Sequence, residues 1–182
     1  MMGAKVMDGQ LSLPVTPLMV GKGSVQTSGV TMNVFLTSDD IIQAAEAMLK
    51  QAYHLENIDA LDVAEGFLIS YHYAHFSKPG RIAHRVLVCR DEAELPSISS
   101  IYQGADWHER ECHDFHGVKF AGHPNLLPLL LDPETPNGVL LKDEKSRKPL
   151  REILNPGEIV FKGEGFTLFD EEQPEPEEES AS

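Results

Sequence analysis

Phe67-Leu68-Ile69-Ser70-Tyr71-His72-Tyr73, then Ser77-Lys78-Pro79-Gly80, then Val86-Leu87-Val88 within residues 81–90: this stretch decides the fold class. Phe67, Ile69, Tyr71 and Tyr73 alternate with Leu68, Ser70 and His72, the period of a half-buried strand. Ser77 to Gly80 turns the chain and 81–90 returns, which predicts a β-hairpin. Just upstream, Ile58 to Val63 reads as a weak strand.

Further toward the N-terminus, Thr37-Ser38-Asp39-Asp40 is a helix start, and Ile41, Ile42, Ala45, Met48, Leu49 and Ala52 recur at helical spacing. The spacing predicts a helix over about 38–53. Leu18-Met19-Val20 and Val30 to Phe35 suggest one or two short strands separated by Gly21 to Gly29. Downstream, Glu94-Leu95-Pro96-Ser97 reads as the opening of a second, short helix that carries Ile98, Ile101 and Tyr102 on one face and ends at Gly104.

Asp106 stands three residues before Glu109 and Gly117 lies where a helix stops, so 107–116 is expected to be helical. Beyond Pro124 the prolines at 128, 133, 136, 149 and 156 oppose long helices. The expected fold class is therefore α+β: a small mixed or antiparallel sheet packed with helices, followed by an extended C-terminal arm. The chain divides into an N-terminal segment at 1–36, an α/β domain at 37–123, a partner-binding arm at 124–169 and a disordered acidic tail at 170–182.

The formal charge is −14, half of it from seven acids between Asp170 and Glu179. That balance argues against nucleic acid, whose phosphates need a basic face. Cys89 and Cys112 are the two cysteines, too few for the four thiolates usual for an iron–sulfur cluster. With no signal-type beginning, the chain is expected to be cytoplasmic with reduced thiols. The densest apolar run, Leu126 to Leu131, is broken by Pro128 and is far short of the roughly 20 residues that span a bilayer. Gly21-Lys22-Gly23-Ser24 lacks the order of a phosphate loop, and there is no Gly-x-Ser-x-Gly elbow.

The chemistry-bearing stretch is Trp107-His108-Glu109-Arg110-Glu111-Cys112-His113-Asp114-Phe115-His116. On a helix Arg110 and Asp114 are four apart and can pair, whereas Glu109 and Glu111 point to different faces and cannot work as a paired acid and base. Two readings stay open: a solvated charged helix, or Glu109, Arg110, Glu111 and Asp114 packed against another chain with guanidinium–carboxylate geometry setting register. His108, Cys112 and His116 fall at i, i+4 and i+8, where adjacent members could share zinc, although the spacing is no strong zinc signature. Lys142, Lys145, Arg147, Lys148 and Arg151 make the arm basic, suited either to solvent or to an acidic partner.

Glu109-Arg110-Glu111, Asp114-Phe115, Gly117, Phe120, Gly122-His123-Pro124-Asn125-Leu126 and Leu141-Lys142-Asp143 resemble the signature of the 30 kDa subunit family of respiratory complex I, the NADH-quinone oxidoreductase. The resemblance implies a non-catalytic subunit of a membrane-associated redox complex, clasping the large quinone-site subunit beside iron–sulfur subunits in the peripheral arm. It implies no cofactor or metal in this chain; iron–sulfur clusters, and flavin or a nickel–iron centre, belong to partner subunits. It places the chain on the inner face of the cell membrane, touching the membrane only through partners, and makes Glu109, Arg110, Glu111, Asp114, Gly117, His123, Pro124 and Lys142 the expected interface. Two features depart from the respiratory pattern. Leu127-Pro128 stands where paired arginines are usual, and Cys112-His113-Asp114 with Pro128 to Leu131 is more similar to subunits of membrane-bound nickel–iron hydrogenases and formate hydrogenlyase. Readings of another class are a free-standing metal-binding protein built on the histidines and an adaptor that uses the arm.

Overall fold

In the computed structural model, which describes residues 11–170, the hairpin belongs to a three-strand antiparallel meander. It comprises β3 (His54–Val63), β4 (Gly66–His75) and β5 (Lys78–Val88). The strand expected at 58–63 is longer than the apolar pattern alone indicated. The turn between β4 and β5 falls at Phe76 and Ser77, with His75 opposite Lys78, so the predicted Ser77–Gly80 turn is displaced. Pro79 is tolerated in β5 because the next strand joins only at Ile82, leaving no ladder on that side to need its missing N–H. Gly80, at φ +90°, passes so close to Thr31 that a Cβ there would lie 2.3 Å from Thr31 Cγ2.

β2 (Met32–Phe35) runs parallel to β5, and β1 (Met19–Lys22) runs antiparallel to β2. A single helical turn, α1 (Val25–Ser28), joins β1 to β2. The last strand, β8 (Glu158–Lys162), returns from the C-terminal arm to pair with β1, giving the order β3-β4-β5-β2-β1-β8. The N-terminal strands and part of the arm therefore share one sheet with the central hairpin. The expected helix at 38–53 is a 3₁₀ turn (Ser38–Asp40) leading into α2 (Ile41–Lys50), which buries Ile41, Ala44, Ala45 and Met48.

No second helix forms at 94–104. Glu94–Pro96 is instead strand β6, parallel to β7 (Lys119–Ala121), and Ser97 N donates to Ala121 O. Pro96 read as a helix opener, but the chain leaves the strand through one tight turn in which the N–H groups of Ile101 and Tyr102 both reach Ile98 O. The next element is α3 (Ala105–His116), close to expectation, stopped by Gly117 at φ +73° with its N–H on His113 O.

One sheet face packs Phe67, Ile69, Tyr71, Tyr73 and Val86 against α2 and α3, forming the main core. The other face is also covered, so β4 is not the half-buried strand that alternation suggested. Met19, Phe35, Val63 and Leu68 pack there with Leu150 from the four-residue helix α4 (Leu150–Ile153) and with Phe166, Leu168 and Phe169. Phe166 packs tilted and Phe169 edge-on against Phe35, at 5.6 and 5.4 Å between centroids. Leu150→Ala is expected to cost about 2–5 kcal/mol, since it hollows the only fully buried arm position in that cluster. A urea titration checks it, and a loss under about 1 kcal/mol would mean that the arm is not part of the fold. The tail expected to be disordered lies, beyond Asp170, outside the described residues.

Candidate partner-binding site around the charged helix

The residues picked from sequence gather around α3, but the carboxylates of Glu109 and Asp114 face inward. Glu109 is fully buried: Ile98 N donates to its Oε1 at 2.8 Å and Ser97 Oγ to its Oε2 at 2.6 Å. Its role is to satisfy the polar groups of the turn that replaces the expected helix. Burial pushes its carboxyl up to about 7, with Asp106 adding repulsion, although both hydrogen bonds pull it down.

Asp114 is fully buried as well. It does not pair with Arg110; its Oδ2 accepts the backbone N–H groups of Leu129, Leu130 and Leu131 at 2.9, 2.8 and 3.2 Å. Burial alone would raise its carboxyl, but the three amides outweigh it and hold the group below the ordinary aspartate value. Arg110 works on the same loop, donating Nε to Leu127 O and an Nη to Pro128 O, both at 2.8 Å. Its nearest acid is Asp106, at 3.9 Å. The anticipated Arg110–Asp114 pair is thus replaced by two side chains that each hold main chain.

His123 is buried beneath this loop. Asn125 N donates to its Nδ1 at 3.0 Å, which leaves the proton on Nε2, 3.2 Å from Asp106 O. Gly117 supplies the left-handed stop of α3, Glu111 and Pro124 are exposed, and Lys142 is held by its own chain. Lys142 N donates to Asp62 Oδ2 at 2.8 Å, and its Nζ to Asp62 O at 3.1 Å. Of the expected interface set, Glu111 and Pro124 alone are exposed.

Sequence reasoning missed Asp62 and Glu65. Asp62 is buried, and besides Lys142 N its carboxylate faces Arg90 at 2.7 Å and Arg147 at 3.5 Å. Burial would raise its carboxyl, but the Lys142 amide and the two guanidinium groups lower it. Glu65, in the β3–β4 turn, receives Leu150 N on both oxygens at 3.1 and 3.0 Å. Three carboxylates, Asp114, Asp62 and Glu65, therefore hold the arm at residues 129–131, 142 and 150 through its own amides, which are charge-assisted bonds of the stronger kind. The available signal was an acid on the inward side of a strand: Asp62 is opposite Phe67, whose ring packs in the core.

Two imidazoles of the expected cluster have contacts within the chain. His113 is 2.9 Å from Val118 O through Nδ1 and 2.7 Å from Asn137 through Nε2, and His116 lies against the Phe67 ring. Cys112 is buried, its Sγ directed at Ile58 O at 3.9 Å, and burial pushes the thiol up. Among the described residues, no three of His, Cys, Asp and Glu converge to hold a metal.

Besides Glu111, several large apolar side chains on and near the helix are exposed. Trp107 is 66% exposed, Leu127 60% and Leu130 63%, with Val139, Leu140 and Leu141 also on the surface. Asp114 brings two of these segments together, since its carboxylate holds 129–131 while its carbonyl accepts Gly138 N at 2.8 Å. Leu140 N donates to the adjacent Phe115 O.

A raised carboxyl pKa gives Glu109 a definite stability signature. Between about 4.5 and 7 the folded chain binds a proton that the unfolded chain has released, so this residue's contribution falls as pH rises through that window. Glu109→Gln keeps an oxygen for Ile98 N and a donor for Ser97 Oγ. The variant is expected to lose less melting temperature than wild type between about pH 5 and pH 8, and identical pH profiles would count against the assignment.

The chain is an α+β module whose charged helix holds its own loop and arm in place, with Leu127 and Leu130 exposed. The family model for the 30 kDa subunit of respiratory-chain NADH dehydrogenase matches residues 34–152, and the chain belongs to that family. It is similar to the C/D subunit of the NADH-quinone oxidoreductase of Phocaeicola vulgatus, 31% identical over 144 residues, covering 69% of this chain and 27% of that protein. It is similar also to the C subunit of the same enzyme from Phenylobacterium zucineum, 37% identical over 83 residues, covering 46% and 39%. The chain thus spans well under half the length of these relatives.

Among solved structures, a trypsin-resistant fragment of Nqo5 superposes with a TM-score of 0.51 at 22% identity, covering 59% of this chain and 88% of that one, a likeness of fold. A chain of the membrane-bound sulfane sulfur reductase, an archaeal respiratory membrane complex, gives 0.55 at 26% identity, covering 67% and 74%. Among the described residues no helix is long and apolar enough to cross a membrane.

Proposed function

We propose that this chain is a non-catalytic subunit in the peripheral arm of a complex I-like, membrane-associated redox complex. It clasps the large quinone-site or hydrogenase-like subunit next to iron–sulfur subunits, on the cytoplasmic side of the membrane, and reaches the membrane only through them. The observation that carries the reading is the loop 124–131, fixed from beneath by Asp114, Arg110 and His123 while Leu127 and Leu130 point outward. A preorganised apolar surface loses little ordering entropy on docking, which is how such a loop gains affinity. The signature residues serve the interface by shaping the loop; most of them do not touch the partner.

The iron–sulfur clusters, and the flavin or nickel–iron centre, are assigned to the partners. A second reading, that the assembly is an energy-converting nickel–iron hydrogenase or formate hydrogenlyase type, is favoured by Leu127-Pro128 and by the likeness to the archaeal sulfane sulfur reductase. Affinity purification of the tagged chain from its native membranes, with mass spectrometry, tests both. Co-recovery of a large subunit with iron–sulfur subunits is expected, and flavin- or nickel-bearing chains decide between the readings. Recovery of the chain alone, or with unrelated proteins, would overturn the proposal.

A further inference from the structure

Between α3 and β3, the edge strand on the hairpin side of the sheet, lies a cleft of 230 Å³. Asp59 lines it from the strand and Glu111 from the helix, and no lysine or arginine lines it. Glu111 is exposed and has no ion pair or hydrogen bond among the described residues. Asp59, about half exposed, has Nε2 of His72 at 2.7 Å on Oδ2, which leaves Oδ1 without a partner among the described residues. Carboxylates set on low-dielectric walls focus a negative potential into such a cleft. Its volume falls below the roughly 300–1,000 Å³ of small-molecule sites, so it suits one side chain and not a cofactor. We propose, on the footing of the docking role above, that the cleft receives an arginine side chain of the large partner subunit, its stem along Ile58, Phe115 and Leu140 and its guanidinium held by Glu111 and Asp59.

Arginine fits better than lysine because the charged groups on offer are acceptors only. A guanidinium brings five donors in a planar fork, matches carboxylates two bonds at a time and gives up its water more readily than an ammonium. His116, in the same wall, has a buried Nδ1 with no hydrogen-bond partner among the described residues. Burial is the largest influence on its ring and lowers its pKa, so the imidazole is neutral and does not repel a cation. Lys142 acts on His116 from nearby, but its Nζ is committed to Asp62 O at 3.1 Å. Leu140, which lines the cleft, is 55% exposed and belongs to the apolar surface that Asp114 assembles, so the cleft and that surface are continuous. The socket gives Glu111 a part that the inward-facing residues of the signature do not have: it meets the partner directly.

Affinity purification of the tagged full chain from native membranes tests this. Glu111→Arg is expected to lower recovery of the large subunit about tenfold or more, and the milder pair Glu111→Gln with Asp59→Asn to lower it less. Both variants are expected to melt within about 2 °C of wild type, since the two acids are on the surface. Labelling with phenylglyoxal and mass spectrometry are expected to find one arginine of the large subunit that is spared in the wild-type complex and modified once the complex is taken apart. Replacing that arginine by glutamate is expected to restore recovery of Glu111→Arg. If wild type brings down the large and iron–sulfur subunits and both variants do so equally well, the arginine socket is overturned and the docking role stands. The socket is overturned likewise if no arginine is protected or if the charge exchange restores nothing. Recovery of the wild-type chain without redox subunits would overturn both.

Discussion

Asp114→Ala is expected to lower the melting temperature of the isolated chain by about 10 °C and to open residues 124–131 to protease, leaving the sheet's circular dichroism unchanged. One oxygen of Asp114 receives three backbone amides, each a charge-assisted bond worth about 1.5–3 kcal/mol in its own right. Such terms are not additive, and removing the acceptor strands three donors, so the total is set at about 3–5 kcal/mol. For a chain of this size that is about 2–4 °C per kcal/mol. Asp114→Asn, which keeps one oxygen, should recover part of the loss. A melt within about 2 °C of wild type would show that the loop does not depend on this carboxylate. The acid branch of the stability curve carries the same dependence. Asp114 and Asp62 are both held below their ordinary value, so their contributions are complete above about pH 4 and lost as pH falls further. This is opposite in sign to the effect of Glu109.

Leu127→Asp combined with Leu130→Asp is expected to reverse that pattern, leaving the melting temperature within about 2 °C and abolishing recovery with other subunits. Both side chains are more than half exposed, so the free chain loses little by the change, as surface substitutions usually do. Docked apolar anchors are typically worth about 2 kcal/mol or more each, and a carboxylate forced into the same place adds desolvation, which together exceeds roughly a hundredfold in affinity. Parallel melts and affinity purification from membranes read out the pair. Normal recovery would move the docking surface elsewhere, with Trp107 and the Val139–Leu141 segment next in line.

These two substitutions separate what the sequence made legible from what it did not. The β4 and β5 strands were readable because their alternation is local, and α2 and α3 because apolar spacing and a terminal glycine are local too. The turn at Phe76 and Ser77 was not, since Pro79-Gly80 carries stronger turn chemistry but strand register, set along the whole of β4, decides where the reversal falls. Covering of the second sheet face by Leu150, Phe166 and Phe169 depends on contacts far distant in sequence, beyond any periodicity argument.

The charged helix illustrates a different limit. Spacing relates side chains to each other, and on that basis Arg110 pointed to Asp114. Both instead bind main chain, Asp114 to amides and Arg110 to carbonyls, partners that no residue type announces. Resemblance singled out Glu109, Asp114 and His123. It did not say that they face inward, because a recurring signature looks the same whether it touches a partner or shapes the loop that does.

Amide hydrogen exchange at Leu129, Leu130 and Leu131 in the free chain tests the inward-acting signature most directly. Strong protection of these three amides in wild type, lost in Asp114→Ala while the β4 and β5 amides stay protected, is the predicted result. Exchange in the wild-type chain at the rate of an open loop would contradict it.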